Sequence, residues 1–314
     1  MRYPSRLLIL TFAVLAMAWT TGSAAAADPD AAGPLTLVVM DPLAAPLACD
    51  CVQGYAQRKY EVLGNFLSQK LHRPVRVYWS ESLVTALEEK TGGKADLVIG
   101  KHSVVLFDAQ KADAKMIPAA SLTDPLGGTT QTGLIVVRAM DKAQKVEDLQ
   151  GYRIFFGPED CDEKSLAPMA LLRQHGVALP GTIETYPACS NAATKLVELE
   201  SDVKAAAVIS SYAGPLLEGC GTIKKGDLRV IGVSEPVAFV TAFVNAALPD
   251  AEQAALKAAL LEVGTDADLL IALETASGFV EYQAVPAPGT PAAGDPAVSQ
   301  VDSATTDGAA KKKN

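Results

Sequence analysis

The chain has 314 residues and a formal net charge of -9, with 36 acidic side chains against 27 Lys and Arg. This negative balance gives no electrostatic basis for binding nucleic acid, because phosphates attract basic surfaces. Between the two chain ends described below, about 250 residues remain, which is enough for two lobes of ordinary domain size.

The first 27 residues have the pattern of a secretory signal peptide. Arg2 and Arg6 precede an apolar run over residues 7–19, and small residues ending in "GSAAAA" come before Asp28. Such a segment is removed on export. The apolar run is shorter than a membrane-spanning helix requires. We therefore expect residues 1–27 to be a signal peptide, and the mature protein to be periplasmic or secreted and not to span a membrane.

Short apolar runs alternate with amphipathic stretches through the middle of the chain. The apolar runs are β-branched and bounded by turn residues, which predicts strands, and the stretches between them have helical spacing. This alternation indicates an α/β protein with parallel sheets covered on both faces. The predicted strands are 35–41, 75–80, 96–100, 133–139, 153–157, 205–210 and 229–233, and the predicted helices are 58–71, 83–89, 165–175 and 191–199.

The C-terminal segment, residues 284–314, has a different composition. It is rich in Ala, Pro, Gly and Ser and almost empty of large apolar residues. Such a segment cannot bury enough surface to offset the entropy lost on ordering. We expect it to be a disordered tail.

Three stretches of the middle region carry a family resemblance. They are the first helix followed by "RPVRV", the turn "GGKADLVIG", and the run "VEDLQGYRIFFG" that leads to a helix N-terminus. Together they resemble the phosphate/phosphite/phosphonate family of ABC-transporter substrate-binding proteins, over most of residues 35–282. The resemblance implies a two-lobe, type II periplasmic-binding-protein-like fold with a ligand cleft between the lobes. By that analogy lobe one is 35–132 plus 238–283, and lobe two is 133–237.

The function implied by this resemblance is solute capture. The protein would bind a small ligand, phosphate- or phosphonate-like, between its lobes and deliver it to an ABC permease. We expect no enzymatic activity, because the sequence has no G-x-S-x-G, P-loop, H-E-x-x-H or G-x-G-x-x-G pattern. We also expect a monomer that needs no cofactor.

Candidate ligand-binding residues follow the predicted strands, where strand ends and helix N-termini converge in open α/β proteins. The resembling family normally binds phosph(on)ate with small hydroxyl and Gly residues at the helix that "CDEKS" begins here; Asp160, Asp162 and Glu163 depart from that pattern. We favour Asp160 as a helix N-cap with Glu163 completing the cap, with direct ligand contact as the alternative. The predicted ligand-binding residues are Asp41, Tyr55, Lys101, His102, Thr129, Thr130, Asp160, Asp162, Lys164, Ser165, Ser190, Asn191, Ser210 and Ser211.

Four of the five cysteines, Cys49, Cys51, Cys161 and Cys189, also follow strand-like runs. In an oxidising compartment we favour disulfides, with a bridge between Cys161 and Cys189 inside lobe two. The alternative is that all four thiolates bind copper or zinc. The protein would then be a cysteine-rich metal-binding or redox-linked accessory protein on the same fold.

Overall fold

The computed structural model describes residues 33–48 and 57–289. The predicted signal peptide, Cys49, Cys51, Tyr55 and the tail from residue 290 onward lie outside these ranges. Within them, no helix is long and apolar enough to cross a membrane.

One mixed sheet is built from both ends of the described chain. Its strands are β1 (Leu35–Met40), β2 (Val75–Trp79), β3 (Leu97–Lys101), β4 (Met116–Leu122), β12 (Val240–Asn245) and β13 (Phe279–Glu281), in the order β13-β4-β12-β3-β1-β2. β1 is parallel to β2 and β3, whereas β12 is antiparallel to β3 and β4. The expectation of purely parallel sheets is therefore wrong, because β12 enters the sheet in the opposite direction on returning from the second sheet.

The middle of the chain forms a second mixed sheet. Its strands are β6 (Gly133–Arg138), β7 (Arg153–Phe156), β8 (Glu184–Thr185), β9 (Ala205–Ser210) and β10 (Leu228–Val233), in the order β10-β6-β9-β7-β8. β7 is parallel to β8 and β9, and β6 is antiparallel to β9 and β10. Every residue of β9 is buried, which explains its unbroken run of small apolar residues.

Two short strands mark where the chain crosses between the sheets. β5 (Thr130–Gln131) leaves the first sheet and β11 (Val237–Ala238) returns to it, and the two pair antiparallel. We call the body around the first sheet lobe one and the body around the second lobe two. The residue boundaries of the lobes stay a prediction.

Helices cover the sheets. They are α1 (Tyr60–Lys70), α2 (Leu83–Thr85), α3 (His102–Lys111), α4 (Leu166–Gln174), α5 (Cys189–Glu198), α6 (Ala213–Gly219), α7 (Asp250–Leu261) and α8 (Ala267–Ala272). In α1 the buried residues Tyr60, Leu63, Gly64 and Leu67 recur at helical spacing and face the sheet. A Cβ at Gly64 would collide with the side chain of Val77, so the glycine lets α1 approach β2 closely.

The largest group of buried apolar side chains is shared by the two lobes. It includes Leu37 and Leu63 of lobe one together with Phe155 and Leu196 of lobe two. Because buried apolar contacts run continuously from one lobe to the other, the lobes pack against each other. The site described next lies between the two lobes.

Candidate ligand-binding site

A cavity of about 360 Å³ lies between the lobes. Lobe one contributes the loop after β1 and the junction of β3 with α3, and lobe two contributes the loop after β7 and the N-terminal ends of α5 and α6. Most of the lining is apolar, including Met40, Leu43, Leu47, Val104, Leu216 and Leu217. Its polar side chains are Glu81, Lys101, Asp160, Lys164, Ser190 and Tyr212, together with the thiols of Cys161 and Cys189.

A buried polar cluster joins the lobes at this cavity. Lys101, at the end of β3 in lobe one, forms an ion pair with Glu163 of lobe two, and its Nζ lies 3.3 Å from Cys161 Sγ. The same carboxylate oxygen, Glu163 Oε1, accepts hydrogen bonds from Cys161 Sγ at 3.0 Å and from Ser210 Oγ at 2.8 Å. The Lys101 ammonium also lies 5.6 Å from the ring centre of Tyr212.

The cluster shifts the pKa values of its members. Burial alone would raise the pKa of Glu163, but the Lys101 ammonium outweighs burial and lowers it to about 2. Burial would lower the pKa of Lys101, but Cys161 and Glu163 outweigh burial and raise it. Burial raises the pKa of the Cys161 thiol to about 12. At neutral pH, Lys101 and Glu163 are therefore both charged and Cys161 is a neutral thiol.

Two glycines allow Glu163 to occupy this position. The chain makes a 3₁₀ turn over Asp162–Lys164 before α4 begins. A Cβ at Gly133 would collide with the carbonyl oxygen of Glu163, and a Cβ at Gly157 with the side chain of Lys164. The turn therefore packs directly on β6 and on the end of β7, which turns the Glu163 carboxylate toward Lys101.

A second polar group lies at the lobe-two side of the cavity. Lys164 Nζ donates a hydrogen bond to the carbonyl oxygen of Pro187 at 3.0 Å. Residues 187–190 line the cavity, so the N-terminal end of α5 opens onto it. No side chain caps this helix end. Its first-turn N–H groups, with Ser190 and Lys164, can act as donors to an anion.

Further hydrogen bonds hold the cavity rim together across the lobes. Ser103 Oγ, on α3 of lobe one, donates to the carbonyl oxygen of Asp160 at 2.7 Å and accepts from the backbone N–H of Asp162 at 3.2 Å. Burial raises the pKa of Asp162 to about 6, with the nearby acids Glu163 and Asp160 adding to the effect. Asp162 contacts the other lobe through its backbone, and its side chain is not part of the cavity lining.

The interpretation of Asp160 and Glu163 as a helix cap is wrong. α4 begins at Leu166, its N-cap is Ser165, and no side chain accepts a hydrogen bond from its first turn. Glu163 is 1% exposed, and one oxygen of its carboxylate, Oε1, contacts Lys101, Cys161 and Ser210. The competing attraction of a buried ammonium explains why the carboxylate turns away from the helix end.

Asp41 lies behind the cavity lining rather than in it. Its carboxylate is fully buried, pairs with Arg58 at 2.8 Å, and accepts a hydrogen bond from Tyr60 Oη at 2.6 Å and one from Leu43 N at 3.0 Å. Arg58 also donates to the carbonyl oxygen of Leu273. These bonds tie the loop after β1 to α1 and to the end of α8, which gives Asp41 a structural role within lobe one.

His102 and the two threonines of the first crossing segment also lie away from the lining. His102 stacks on Tyr282 at 5.3 Å between ring centres, and its Nδ1 lies 3.2 Å from Thr241 Oγ1. Thr130 pairs with Ala238 between β5 and β11, and the Thr129 carbonyl accepts from Phe239 N at 3.0 Å. The backbones of Thr129 and Thr130 thus join the two crossing segments.

The remaining predicted residues divide between the lining and its support. Lys101, Asp160, Lys164 and Ser190 line the cavity. Ser210 supports Glu163 from behind, and Ser211 Oγ accepts from Thr132 N at 3.2 Å near the crossing segments. Ser165 is buried at the start of α4, and Asn191 is exposed on α5. Tyr55 lies outside the described residues.

The predicted bridge between Cys161 and Cys189 is not formed. Both are free thiols, Cys161 directed at Glu163 and Cys189 at Ser210, whose N–H lies 3.4 Å from its Sγ. Residues 33–48 and 57–289 contain no group of three or more His, Cys, Asp or Glu side chains placed to hold a metal ion. The other two members of the copper or zinc set, Cys49 and Cys51, lie outside those ranges.

The sequence-based prediction missed two features of the site. One is the role of Glu163 at the centre of the site. Gly133 and Gly157 make room for the turn that carries Glu163, but the sequence does not show which residues lie next to these glycines in space. The other is the apolar lining from Leu43, Leu47, Val104, Leu216 and Leu217. Nothing in the local pattern of these residues distinguishes them from ordinary core positions.

Two α/β lobes, joined by two crossing segments and closed over a cavity at their strand ends, define the class of two-lobed solute-binding proteins. The chain belongs to the family of phosphonate periplasmic substrate-binding proteins of ABC transporters, whose family model matches residues 53–285. This confirms the predicted family, the α/β two-lobe fold class and the periplasmic location. It gives no support to a metal-binding or redox-linked protein.

Several solved structures are similar to this chain in fold. A Xanthomonas citri protein bound to ATP has a TM-score of 0.61 at 14% identity, covering 80% of this chain and 92% of its own. The binding protein of an ABC phosphonate transporter from Pseudomonas aeruginosa has a TM-score of 0.59 at 14% identity, covering 80% and 82%. PhnD1 from Prochlorococcus marinus in complex with methylphosphonate has a TM-score of 0.57 at 15% identity, covering 82% and 94%. No curated protein sequence matches the chain. At these identities the similarity establishes the fold.

Proposed function

We propose that this protein captures a small organophosphorus anion in the cavity between its lobes and delivers it to an ABC permease. The observation that carries the proposal is the cleft itself, which has lining from both lobes and lies at strand ends and the N-terminal end of α5. Family membership supports the partner and the ligand class. A ligand there favours the closed arrangement because it contacts both lobes at once.

The lobe-two side of the cavity is the proposed seat of the anionic group. Lys164 supplies a positive charge, and Ser190 and the first-turn N–H groups of α5 supply hydrogen-bond donors. The aliphatic part of the ligand would pack against Leu43 and Leu216 on opposite walls.

Binding without chemistry is part of the proposal. Cys161 is the most buried thiol of the cluster, and a pKa raised to about 12 keeps it protonated at neutral pH. A protonated thiol is a poor nucleophile. The Cys161 thiol therefore serves packing and hydrogen bonding, which agrees with a family of transport proteins.

Calorimetric titration of the mature protein with methylphosphonate, alkylphosphonates and inorganic phosphate tests this function. Lys164→Met should weaken binding of the best ligand by about tenfold or more, because a desolvated charge contact is lost. Lys142→Met is the matched control, since Lys142 is an exposed lysine of lobe two away from the cavity, and it should leave affinity unchanged. Equal affinity of both variants and the parent would refute the proposed seat.

A further inference from the structure

The charge of the cavity is not positive, because three carboxylates lie at it against two ammonium groups. Two lysines line it, Lys101 and Lys164, but so do two acids, Glu81 and Asp160. A third carboxylate, Glu163, sits directly against Lys101. A small dianion placed here would meet no excess of positive charge, and its partial burial between the lobes reduces the screening that water would provide.

The Lys101–Glu163 pair is closed off from a ligand by its own bonds. Glu163 is 1% exposed, and its Oε1 accepts from Lys101, Cys161 and Ser210 together. The Lys101 ammonium is thus committed to Glu163, which lies behind the cavity lining. Pulling it toward a ligand would leave a buried carboxylate unpaired, which is strongly unfavourable.

The rest of the wall favours aliphatic contact. Met40, Leu43, Leu47, Val104, Leu216 and Leu217 line the space around the single seat formed by Lys164 and Ser190. Burying apolar ligand surface against such a wall contributes roughly 25 cal/mol for each Å² removed from water. A ligand consisting of little more than a charged group would leave this wall unused.

We propose that Glu163 determines specificity by neutralising Lys101, so that the cavity selects a solute with an aliphatic body and one negative charge over a doubly charged oxyanion. A phosphonate monoester or a phosphodiester is the matching substrate class. This inference rests on the proposed function and adds to it the charge and shape of the ligand. Glu163 acts through Lys101, so it is a positioning residue rather than a ligand contact.

Two probes of similar size separate charge from shape. Butylphosphonate is doubly charged at alkaline pH, whereas butyl methylphosphonate has one acidic group and is singly charged. In calorimetric titrations at alkaline pH, the unaltered protein should bind the monoester about tenfold more tightly. In Glu163→Gln, Lys101 keeps an uncompensated charge, so the preference should disappear or invert in favour of butylphosphonate.

The double variant Lys101→Met/Glu163→Gln is the matched control. It removes one positive and one negative charge, so the net charge of the cavity equals that of the unaltered protein and the monoester preference should return. Exchange of a buried ion pair for uncharged groups of similar size is also well tolerated. The double variant therefore keeps the test decisive if the single variant folds poorly. A purely structural role would weaken the binding of both probes in Glu163→Gln to the same degree, whereas the charge role changes the preference between them.

Three results would overturn the inference: tighter binding of butylphosphonate by the unaltered protein, an unchanged preference in Glu163→Gln, or a double variant that shares the inverted preference. Failure of both probes to bind the unaltered protein would also overturn it. Solute capture would survive that result if another solute bound in a Lys164-dependent manner, so the two proposals can fail separately.

Discussion

Two buried ion pairs, each between a carboxylate and a cationic side chain, have different structural roles in this molecule. Asp41 and Arg58 pair within lobe one, at 0% and 2% exposure, and their bonds stay inside that lobe. Lys101 and Glu163 pair across the two lobes beside the cavity. The first pair can be broken only by unfolding lobe one, whereas separation of the lobes exposes the second to water. The same kind of bond is therefore structural in one place and tied to lobe closure in the other.

Loss of Arg58 should have the largest effect on stability. Arg58→Met leaves Asp41 buried without its cation and should lower the free energy of unfolding by about 3 to 5 kcal/mol. Urea denaturation of the ligand-free protein measures this change. Arg73→Met is the control, because Arg73 pairs with Glu252 at a partly exposed site, where loss of the pair should cost about 1 kcal/mol or less. Equal losses in the two variants would refute a special role for the inner pair.

Loss of Lys101 should lower the free energy of unfolding by less than loss of Arg58 does, but it should change the separation of the lobes. Lys101→Met leaves Glu163 unpaired, but parting of the lobes hydrates the carboxylate, so we expect a loss of about 2 kcal/mol. The radius of gyration in small-angle X-ray scattering should increase, whereas it should not in folded Arg58→Met. An unchanged radius together with a loss as large as that of Arg58→Met would show that the interlobe pair is no more separable than the inner one.

The interlobe pair should also govern stability in acid. The pKa of Glu163 is lowered from 4.5 to about 2 in the folded protein, so its stabilising contribution is present above pH 4.5 and is lost as the pH falls toward 2. Between pH 4.5 and pH 3 this group should account for about 1 to 2 kcal/mol of lost stability. Glu163→Gln should show a shallower decline over that window in thermal unfolding. Parallel declines in the two proteins would contradict the lowered pKa.

A substitution at Asp162 should have the smallest effect on stability. Asp162 lies next to Glu163, and the charges that act on its pKa are those of two acids. Burial raises its pKa from 3.8 to about 6, so its charge destabilises the fold above pH 6 and this penalty vanishes as the pH falls toward 3.8. Asp162→Asn should raise the unfolding temperature at pH 7.5 by an amount worth less than about 1 kcal/mol, since solvent screens the partly exposed group. The gain should fade by pH 4. A gain that is independent of pH would point to a cause other than charge.

Strands with an unbroken β-branched run were predicted within about two residues, whereas β4 and β12 were not predicted as strands. β4 carries Pro118 opposite Phe243, and the register of the pair shifts beside this position. Proline cannot donate a ladder hydrogen bond and is tolerated where a bulge interrupts the pairing. Local pattern alone argues against a strand there, and only the neighbouring strand β12 makes it possible.

The candidate site also contains residues that local sequence pattern could predict and residues that it could not. Lys101, Asp160, Lys164 and Ser190 line the cavity, and each could be proposed because strand ends and helix starts meet at one edge of a sheet. Asp41 occupies an equivalent position after β1 but is engaged by Arg58 and Tyr60. No local pattern distinguishes a carboxylate that faces a cleft from one that a distant arginine neutralises.

The sequence by itself determined the alternation of strands and helices, because periodicity and turn residues are local properties of the chain, and its motifs carried the resemblance to the family that the family model confirms. Tertiary structure alone decided which charges meet. Lys101 and Glu163 are separated by 62 positions, and their contact depends on how the two lobes pack and on two glycines that admit the turn beneath Glu163. Coulomb attraction depends on distance in space and on burial, and neither is encoded in the neighbours of a residue along the chain.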